Sequence, residues 1–293
     1  MLEFNEITFN LKEEINRRLS ISNFMGCQFS FTCQYIYRIY YRTKVAFIDD
    51  FVIFRNESNG KYFYLYPAGS GDIEKAIKEI INDATSSETP FAIAGIDTPS
   101  KEIIEKFFSD VFEIKYDRDN CDYIYNADDL INLSGKKYHS KRNHLKQFEK
   151  AENGCSFEPI TKDNISLCKE VFHRWLEEKE GDFAMETSVI DECIENFTEL
   201  GLVGGLLRGN CGICAFTLGN RLNSNTFVTH IEKSLSDCKG SSAAINNKFA
   251  KYACKDYKYI NREEDMGIEG LRKAKLSYKP AILLDDYTAF YKG

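Results

Sequence analysis

The sequence predicts a mixed α/β (α+β) protein built as two successive units, each a sheet with helices packed beside it. Three observations lead there. A chain of 293 residues is long for one hydrophobic core and suits two of about 150 residues each. Runs with apolar residues at helical spacing alternate with short β-branched and aromatic runs along the whole length, instead of gathering into separate helical and strand regions. Hydrophobic residues make up 43% and charged residues 28%, a balance that supports buried cores and excludes a disordered chain.

Taken in order, Ile7, Phe9, Leu11, Ile15 and Leu19 recur at helical spacing, with Glu13, Glu14, Arg17 and Arg18 on the wet side, and predict a helix over 7–19. In "VAFIDDFVIFRNESNGKYFYLYP" two strand-like runs flank "NESNG", whose Asn and Gly tolerate the positive φ of a hairpin loop. One β-hairpin is predicted over 45–66. Ile73, Ala76, Ile77, Ile80 and Ile81 share one helical face, so 71–84 is a helix. "FAIAGI" is a strand, "SKEIIEKFFSDV" a helix, and "FEIKYD" with "CDYIYN" a strand pair. Beyond the basic segment "GKKYHSKRNHLKQFEK", "CSFEPI" reads as a strand and "NISLCKEVFHRWLEEKE" as an amphipathic helix. The stretch from Leu202 to Glu232 holds three strands broken at "RGN" and "GNRLNSN", an antiparallel meander. "SSAAINNKFAKYAC" is a helix, "YKYIN" a strand, "IEGLRKAKLSY" a helix and "PAILLDDYTAFY" a closing strand region. The division this implies is 1–134, a basic junction helix over 135–153, and 154–293 carrying the presumed active site.

Charge and targeting signals narrow the function. A net charge of −7 argues against general nucleic-acid coating, so any polyanion must be met locally. The N-terminus is acidic where a secretory signal would be basic, and the apolar run "GLVGGLL" is far too short to span a bilayer. The expectation is a cytoplasmic protein without a transmembrane segment, with any membrane contact peripheral. Ten cysteines spread over the chain fit reduced, mostly buried thiols. Cys211 and Cys214 form a C-x-x-C pair, but residues three apart on a strand point to opposite faces and cannot share a metal. With four histidines and no metal-ligand spacing, no metal site is expected.

Three constellations can carry chemistry. Lys239, Gly240, Ser241 and Ser242 stand between a predicted strand and a predicted helix, where backbone N–H groups can accept a phosphate; an ordinary helix cap has the same composition. In "NREEDMGIEGLRKAKLSYKP" a helix beginning near Asp265 would align Asp265, Glu269 and Arg272, with Lys275 beyond them. That stripe reads either as salt bridging or as a site at the end of a strand closed by Asn261, with Glu264 or Asp265 deprotonating a nucleophile and Arg272 and Lys275 binding negative charge. The basic segment holds six Lys or Arg (136, 137, 141, 142, 146, 150) against Glu149, on a helix anchored by Tyr138, Leu145 and Phe148. A solvated helix face and local anion recruitment both fit it.

"LSGKKYHSKRNHLKQFEK" and "NREEDMGIEGLRKAKLSYKPAILLDDYTAFY" resemble the C-terminal catalytic-domain family of phosphatidylglycerol lysyltransferases, in its branch of soluble chains of similar length. The resemblance implies two tandem GNAT-like domains, each a mixed, mostly antiparallel sheet with flanking helices, related in fold to the Fem-type aminoacyltransferases. It implies transfer of an aminoacyl or acyl group from an activated donor to an amine or hydroxyl acceptor, an anionic lipid among the candidates. Leu271, Lys275 and Pro280, with aromatic Tyr278 and Tyr287, match the family's ending, which makes Lys275 the foremost candidate. Glu264, Asp265 and Lys275 are then the expected catalytic residues. Lys137, Lys141, Arg142, Lys146, Asn261, Arg272 and Tyr278 are expected to bind substrate, and Lys239, Gly240, Ser241 and Ser242 the donor's phosphate. No tightly bound cofactor is expected; the co-substrate is a CoA ester or an aminoacyl-tRNA, and the partners are a phosphate-bearing substrate, tRNA and an anionic membrane surface. Two other readings stand beside this one: a CoA-dependent N-acetyltransferase, and a non-catalytic protein that binds anions, lipid or RNA.

Overall fold

The computed structural model describes residues 2–151, 155–210 and 212–293. Cys211 and the end of the predicted junction segment, 152–153, lie outside the described residues. From the N-terminus the elements are β1 (Asn5–Glu6), α1 (Lys12–Ser22), α2 (Phe31–Ile36), β2 (Lys44–Ile48), β3 (Asp50–Ser58), β4 (Lys61–Leu65), β5 (Ala68–Ser70), α3 (Ile73–Ser86), β6 (Phe91–Ile96), α4 (Thr98–Phe108) and β7 (Phe112–Tyr116). Next come β8 (Asp122–Asn126), α5 (Ala127–Asn132), α6 (His139–Ala151), β9 (Ser156–Pro159), α7 (Leu167–Glu177), α8 (Ala184–Glu195) and α9 (Phe197–Leu200). The chain closes with β10 (Val203–Gly209), β11 (Gly212–Arg221), β12 (Thr226–Ser234), α10 (Ser241–Ala253), β13 (Tyr259–Asn261), α11 (Glu269–Leu276), β14 (Ile282–Leu284) and β15 (Tyr287–Tyr291).

Two compact units result, and their boundaries differ from the expected 134 and 153. The first takes the residues up to Asp122, Glu264–Glu269 and Leu283–Gly293; the second takes Tyr123–Glu263 and Gly270–Ile282. The reason is strand pairing. The closing strand region is not one strand: β14 pairs in the second sheet, and β15 returns to the first sheet between β6 and β7. The basic helix α6 is likewise no junction but a member of the second unit, packed on α10.

The first sheet runs β1-β2-β3-β4-β6-β15-β7, with β5 on β3. The expected hairpin is a meander of β2, β3 and β4, because Asp49 at φ 49 permits an extra tight turn before the Asn59-Gly60 turn. Helices α3 and α4 start where Asp72 and Asp97 accept the N–H groups of Lys75 and Ser100, at 3.0 and 2.9 Å, and their apolar faces bury Ile77, Ile80 and Ile104. The predicted first helix begins later, at Lys12, after a 3-10 turn over Phe9–Leu11.

The second sheet runs β14-β8-β13-β12-β11-β10-β9, with the predicted meander as β10, β11 and β12. Strands β12 and β13 are parallel, paired from Thr226 with Tyr259 to Val228 with Asn261, and they part beyond that point. Helix α6 is held down by Tyr138 and Phe148, both fully buried; each contributes about 2–3 kcal/mol of apolar burial. The Tyr138 hydroxyl donates to the Tyr278 carbonyl at 2.9 Å, which satisfies the one polar atom that this burial would strand.

Candidate active site

Where β12 and β13 part, side chains fill the gap. His230 and Glu232 lie two apart on β12, and His230 is the extra residue where the pairing with β11 shifts between Thr229 and Ile231. Beyond Asn261, the chain turns at Glu263, which adopts φ 58; the Asn261 side chain, fully buried, accepts the Glu263 N–H at 2.6 Å and holds that turn. One hydrogen-bonded pair and one ion pair then cross the gap. His230 Nδ1 meets Glu263 Oε1 at 2.8 Å while its Nε2 meets Asn220 Oδ1 at 3.1 Å, and Arg262 Nη2 donates to Glu232 Oε1 at 2.8 Å. Asn246 on α10 donates to the other Glu232 oxygen at 3.2 Å. These groups are largely withdrawn from water, so loss of Glu232 leaves the Arg262 charge stranded.

Aromatic rings and two further lysines complete the cluster. The Lys141 ammonium lies 3.8 Å from the centre of the Tyr278 ring, and the Arg262 guanidinium carbon lies 4.9 Å from the same centre. Burial, and secondly the Arg262 charge, push the Lys141 pKa down to about 8 against the opposing pull of Glu232. Arg262 Nη1 is buried without a hydrogen-bond partner among the described residues. Lys275 plays a different part. Its ammonium donates to the carbonyls of Arg262 at 2.7 Å and Glu263 at 3.1 Å, tying down the backbone where it leaves β13, and the residue is 8% exposed.

At the expected donor-phosphate turn, the glycine faces the chain's own backbone. Gly240 sits at φ 85 at the start of α10, and a Cβ placed on it would overlap the His144 carbonyl oxygen and lie 3.2 Å from Phe148 Cβ. The glycine lets α6 approach α10, so its space is taken by the chain's own backbone. Ser241 is buried, with its hydroxyl on the Leu235 carbonyl at 3.4 Å, while Lys239 and Ser242 face solvent.

The sequence over residues 20–290 matches the family described as phosphatidylglycerol lysyltransferase, C-terminal. The chain belongs to that family. A conserved protein of unknown function from Bacteroides thetaiotaomicron VPI-5482 is 36% identical with a TM-score of 0.95, each chain covering 100% of the other. L-PGS from Bacillus licheniformis shares the fold at 16% identity and a TM-score of 0.70, over 96% of this chain and 92% of that one. FemX shares it at 10% identity and 0.63, over 97% and 96%. A tandem GNAT protein from the clavulanic acid biosynthesis pathway does so at 8% identity and 0.51, over 99% and 98%. An uncharacterised protein of Mycoplasmoides gallisepticum is 22% identical over 179 residues, and the match spans 55% of that protein, about half its length. The phosphatidylglycerol lysyltransferase C-terminal family member described here thus has the tandem GNAT-like architecture, and at the level of family it stands with acyl- and aminoacyltransferases.

Within this family member the predicted site residues divide. Lys141, Asn261, Tyr278 and Lys275 meet around the β12–β13 gap, joined by His230, Glu232, Glu263 and Arg262, which sequence reasoning missed. Their partners lie about thirty residues away, and the shift in strand pairing at His230 leaves no simple periodic signal. Lys137 pairs with Asp129 at 3.1 Å, and Arg142 Nη1 donates to the Gly135 carbonyl at 2.7 Å, so both serve the start of α6; Lys146 is exposed. Arg272 lies half-buried on α11.

Glu264 and Asp265 do not form the expected helical stripe with Arg272, because α11 begins only at Glu269. They belong to the first unit. Asp265, fully buried, accepts from Arg118 Nη1 at 3.2 Å and from the Gly267 N–H at 3.0 Å, the bonds of a turn and an ion pair. Glu264 stands with Cys27 and Asp122, and that group adjoins a pocket lined by Gly26, Gln28, Asp97, Asp122, Asp285 and Asp286. Burial first, then the charges of Asp122, Asp117 and Glu264, push the Asp286 carboxyl up to about 8. Among the described residues no helix is long and apolar enough to cross a membrane.

Proposed function

We propose that this chain is an aminoacyltransferase that takes its acyl group from an aminoacyl-tRNA, without CoA, and that Lys141 and Arg262 are its reacting centre. The observation that carries the reading is the cationic pair on Tyr278: an ammonium depressed to about 8 beside a guanidinium with one buried donor unpartnered among the described residues. With that pKa about a tenth of Lys141 is neutral at pH 7, enough to accept a proton from an incoming amine or hydroxyl. The acceptor attacks the ester carbonyl, the oxyanion is stabilised by Arg262 Nη1, and collapse expels the tRNA hydroxyl, to which Lys141 returns the proton. The backbone against Gly240 and the paired side chains across the β12–β13 gap support a donor that does not bind as CoA does in GNAT enzymes.

The test supplies labelled aminoacyl-tRNAs and, separately, acetyl-CoA, with amine, hydroxyl and anionic-lipid acceptors. The expected result is consumption of an aminoacyl-tRNA and not of acetyl-CoA, lost in Lys141→Met. Acetyl-CoA turnover would establish the N-acetyltransferase reading instead, and tRNA or lipid binding without turnover the non-catalytic one.

A further inference from the structure

The Cys27, Asp122 and Glu264 cluster of the first unit takes no part in this mechanism. Its ligand atoms come from three distant places: the turn after Gly26, the first residue of β8, and the segment following β13. Cys27 Sγ lies 3.5 Å from Asp122 Oδ1 and 3.8 Å from Glu264 Oε2, and all three ligand atoms fall within 4.8 Å of one another. A tetrahedral ion with a sulfur ligand at about 2.3 Å and oxygen ligands at about 2.0 Å sets the sulfur and each oxygen about 3.5 Å apart. The two sulfur-to-oxygen distances of the cluster are close to that spacing. The Cys27 N–H donates to Asp122 Oδ2 at 2.7 Å, which turns Oδ1 toward the thiol in the manner of an outer-shell orienting bond.

A second observation comes from the neighbouring pocket wall. Asp286 is 8% exposed and lines the pocket with Asp122. Its Oδ2 accepts from Gln28 Nε2 at 3.2 Å. Asp286 borders the same pocket as Asp122 and offers a fourth position either directly or through water.

We propose that Cys27, Asp122 and Glu264 bind a divalent transition-metal ion of the zinc type. One thiolate with carboxylates favours zinc, cobalt(II) or iron(II) over magnesium and calcium, which take oxygen ligands alone. The ion staples three chain segments of the first unit. Binding releases the Cys27 proton to solvent and changes no oxidation state.

The experiment titrates cobalt(II) into chelator-treated full-length protein under reducing conditions and reads the thiolate-to-cobalt charge-transfer band. One equivalent with that band is expected, displaced by zinc, lost in Cys27→Ser and weakened at least tenfold in Glu264→Gln. Zinc should raise the melting temperature of the wild type, raise that of Glu264→Gln less, and leave that of Cys27→Ser unchanged. Because Cys27→Ser alters a buried residue, the partly exposed Glu264→Gln carries the test if the first variant does not fold. Absence of the band, a band that survives in folded Cys27→Ser, or a Glu264→Gln affinity equal to that of the wild type overturns the proposal and leaves Cys27 as a thiol hydrogen-bonded to two carboxylates.

Discussion

Replacing Gly240 with alanine separates the two things a glycine at the start of α10 can do. If it exists for close helix packing, the new methyl must sit at φ 85, a conformation that costs a non-glycine residue about 1–2 kcal/mol. It must also displace the His144 carbonyl and press on Phe148 Cβ, 3.2 Å from the placed atom. Overpacking of that kind costs about 1–3 kcal/mol, so the sum is about 2–5 kcal/mol. Spread over a unit of this size, that lowers the melting temperature by about 5–15 °C. The assay is urea and thermal unfolding of wild type and Gly240→Ala followed by circular dichroism, repeated with CoA. The expected result is the loss of stability just given, with neither protein stabilised by CoA. A variant within about 0.5 kcal/mol of wild type that has lost a CoA-induced stabilisation seen in the wild type would refute the packing argument and restore the turn as a phosphate site.

Other outcomes follow from the β12–β13 gap. The depressed Lys141 pKa means that the folded state resists protonating this lysine; below about 8 it is charged folded or unfolded and the burial penalty is fully present, and between about 8 and 10.5 the unfolded chain binds more protons, so the penalty is relieved as pH rises. Lys141→Met should thus be more stable than wild type at pH 7 by about 1–2 kcal/mol, allowing for the solvent that still reaches the side chain, and the advantage should vanish above pH 10 in urea melts. Glu232→Gln removes the charge that holds the Lys141 pKa up and strands Arg262; it should cost about 3 kcal/mol and move the acidic limb of the rate profile, set by loss of the Lys141 proton, to lower pH. Lys275→Met leaves the Arg262 carbonyl without its 2.7 Å donor and should cost about 1–3 kcal/mol, with activity falling only as the folded fraction falls. Full stability with abolished turnover would instead make Lys275 a reacting group.

What could be read in the sequence was what is written locally. Asn59-Gly60 announces its turn because its positive φ values demand those residues, and α3 announces itself through Ile73, Ala76, Ile77 and Ile80. Tyr138 and Phe148 rightly marked the buried side of α6, since two large aromatics in a strongly basic helix have no other means of leaving water. The errors arise where a residue's meaning is set by something distant in the chain. Gly240 looks the same whether a phosphate or the carbonyl of His144 lies against it, and nothing near residue 240 distinguishes the two. "PAILLDDYTAFY" reads as one strand because both its parts are strands; only pairing across the fold assigns Ile282–Leu284 to one sheet and Tyr287–Tyr291 to the other. The same separation governs the site. Lys141 is one of six basic residues in its segment and has no distinguishing neighbour; the Tyr278 ring and the Arg262 guanidinium, more than a hundred residues on, make it the one whose proton is loosened. The basic residues of the segment therefore have separate surroundings, which their shared charge in the sequence does not show. Lys137 and Arg142 fasten the start of α6, Lys146 faces water, and the chemistry proposed for the helix rests on a single lysine drawn against an aromatic ring, where an ordinary surface cation acquires a pKa fit for proton transfer.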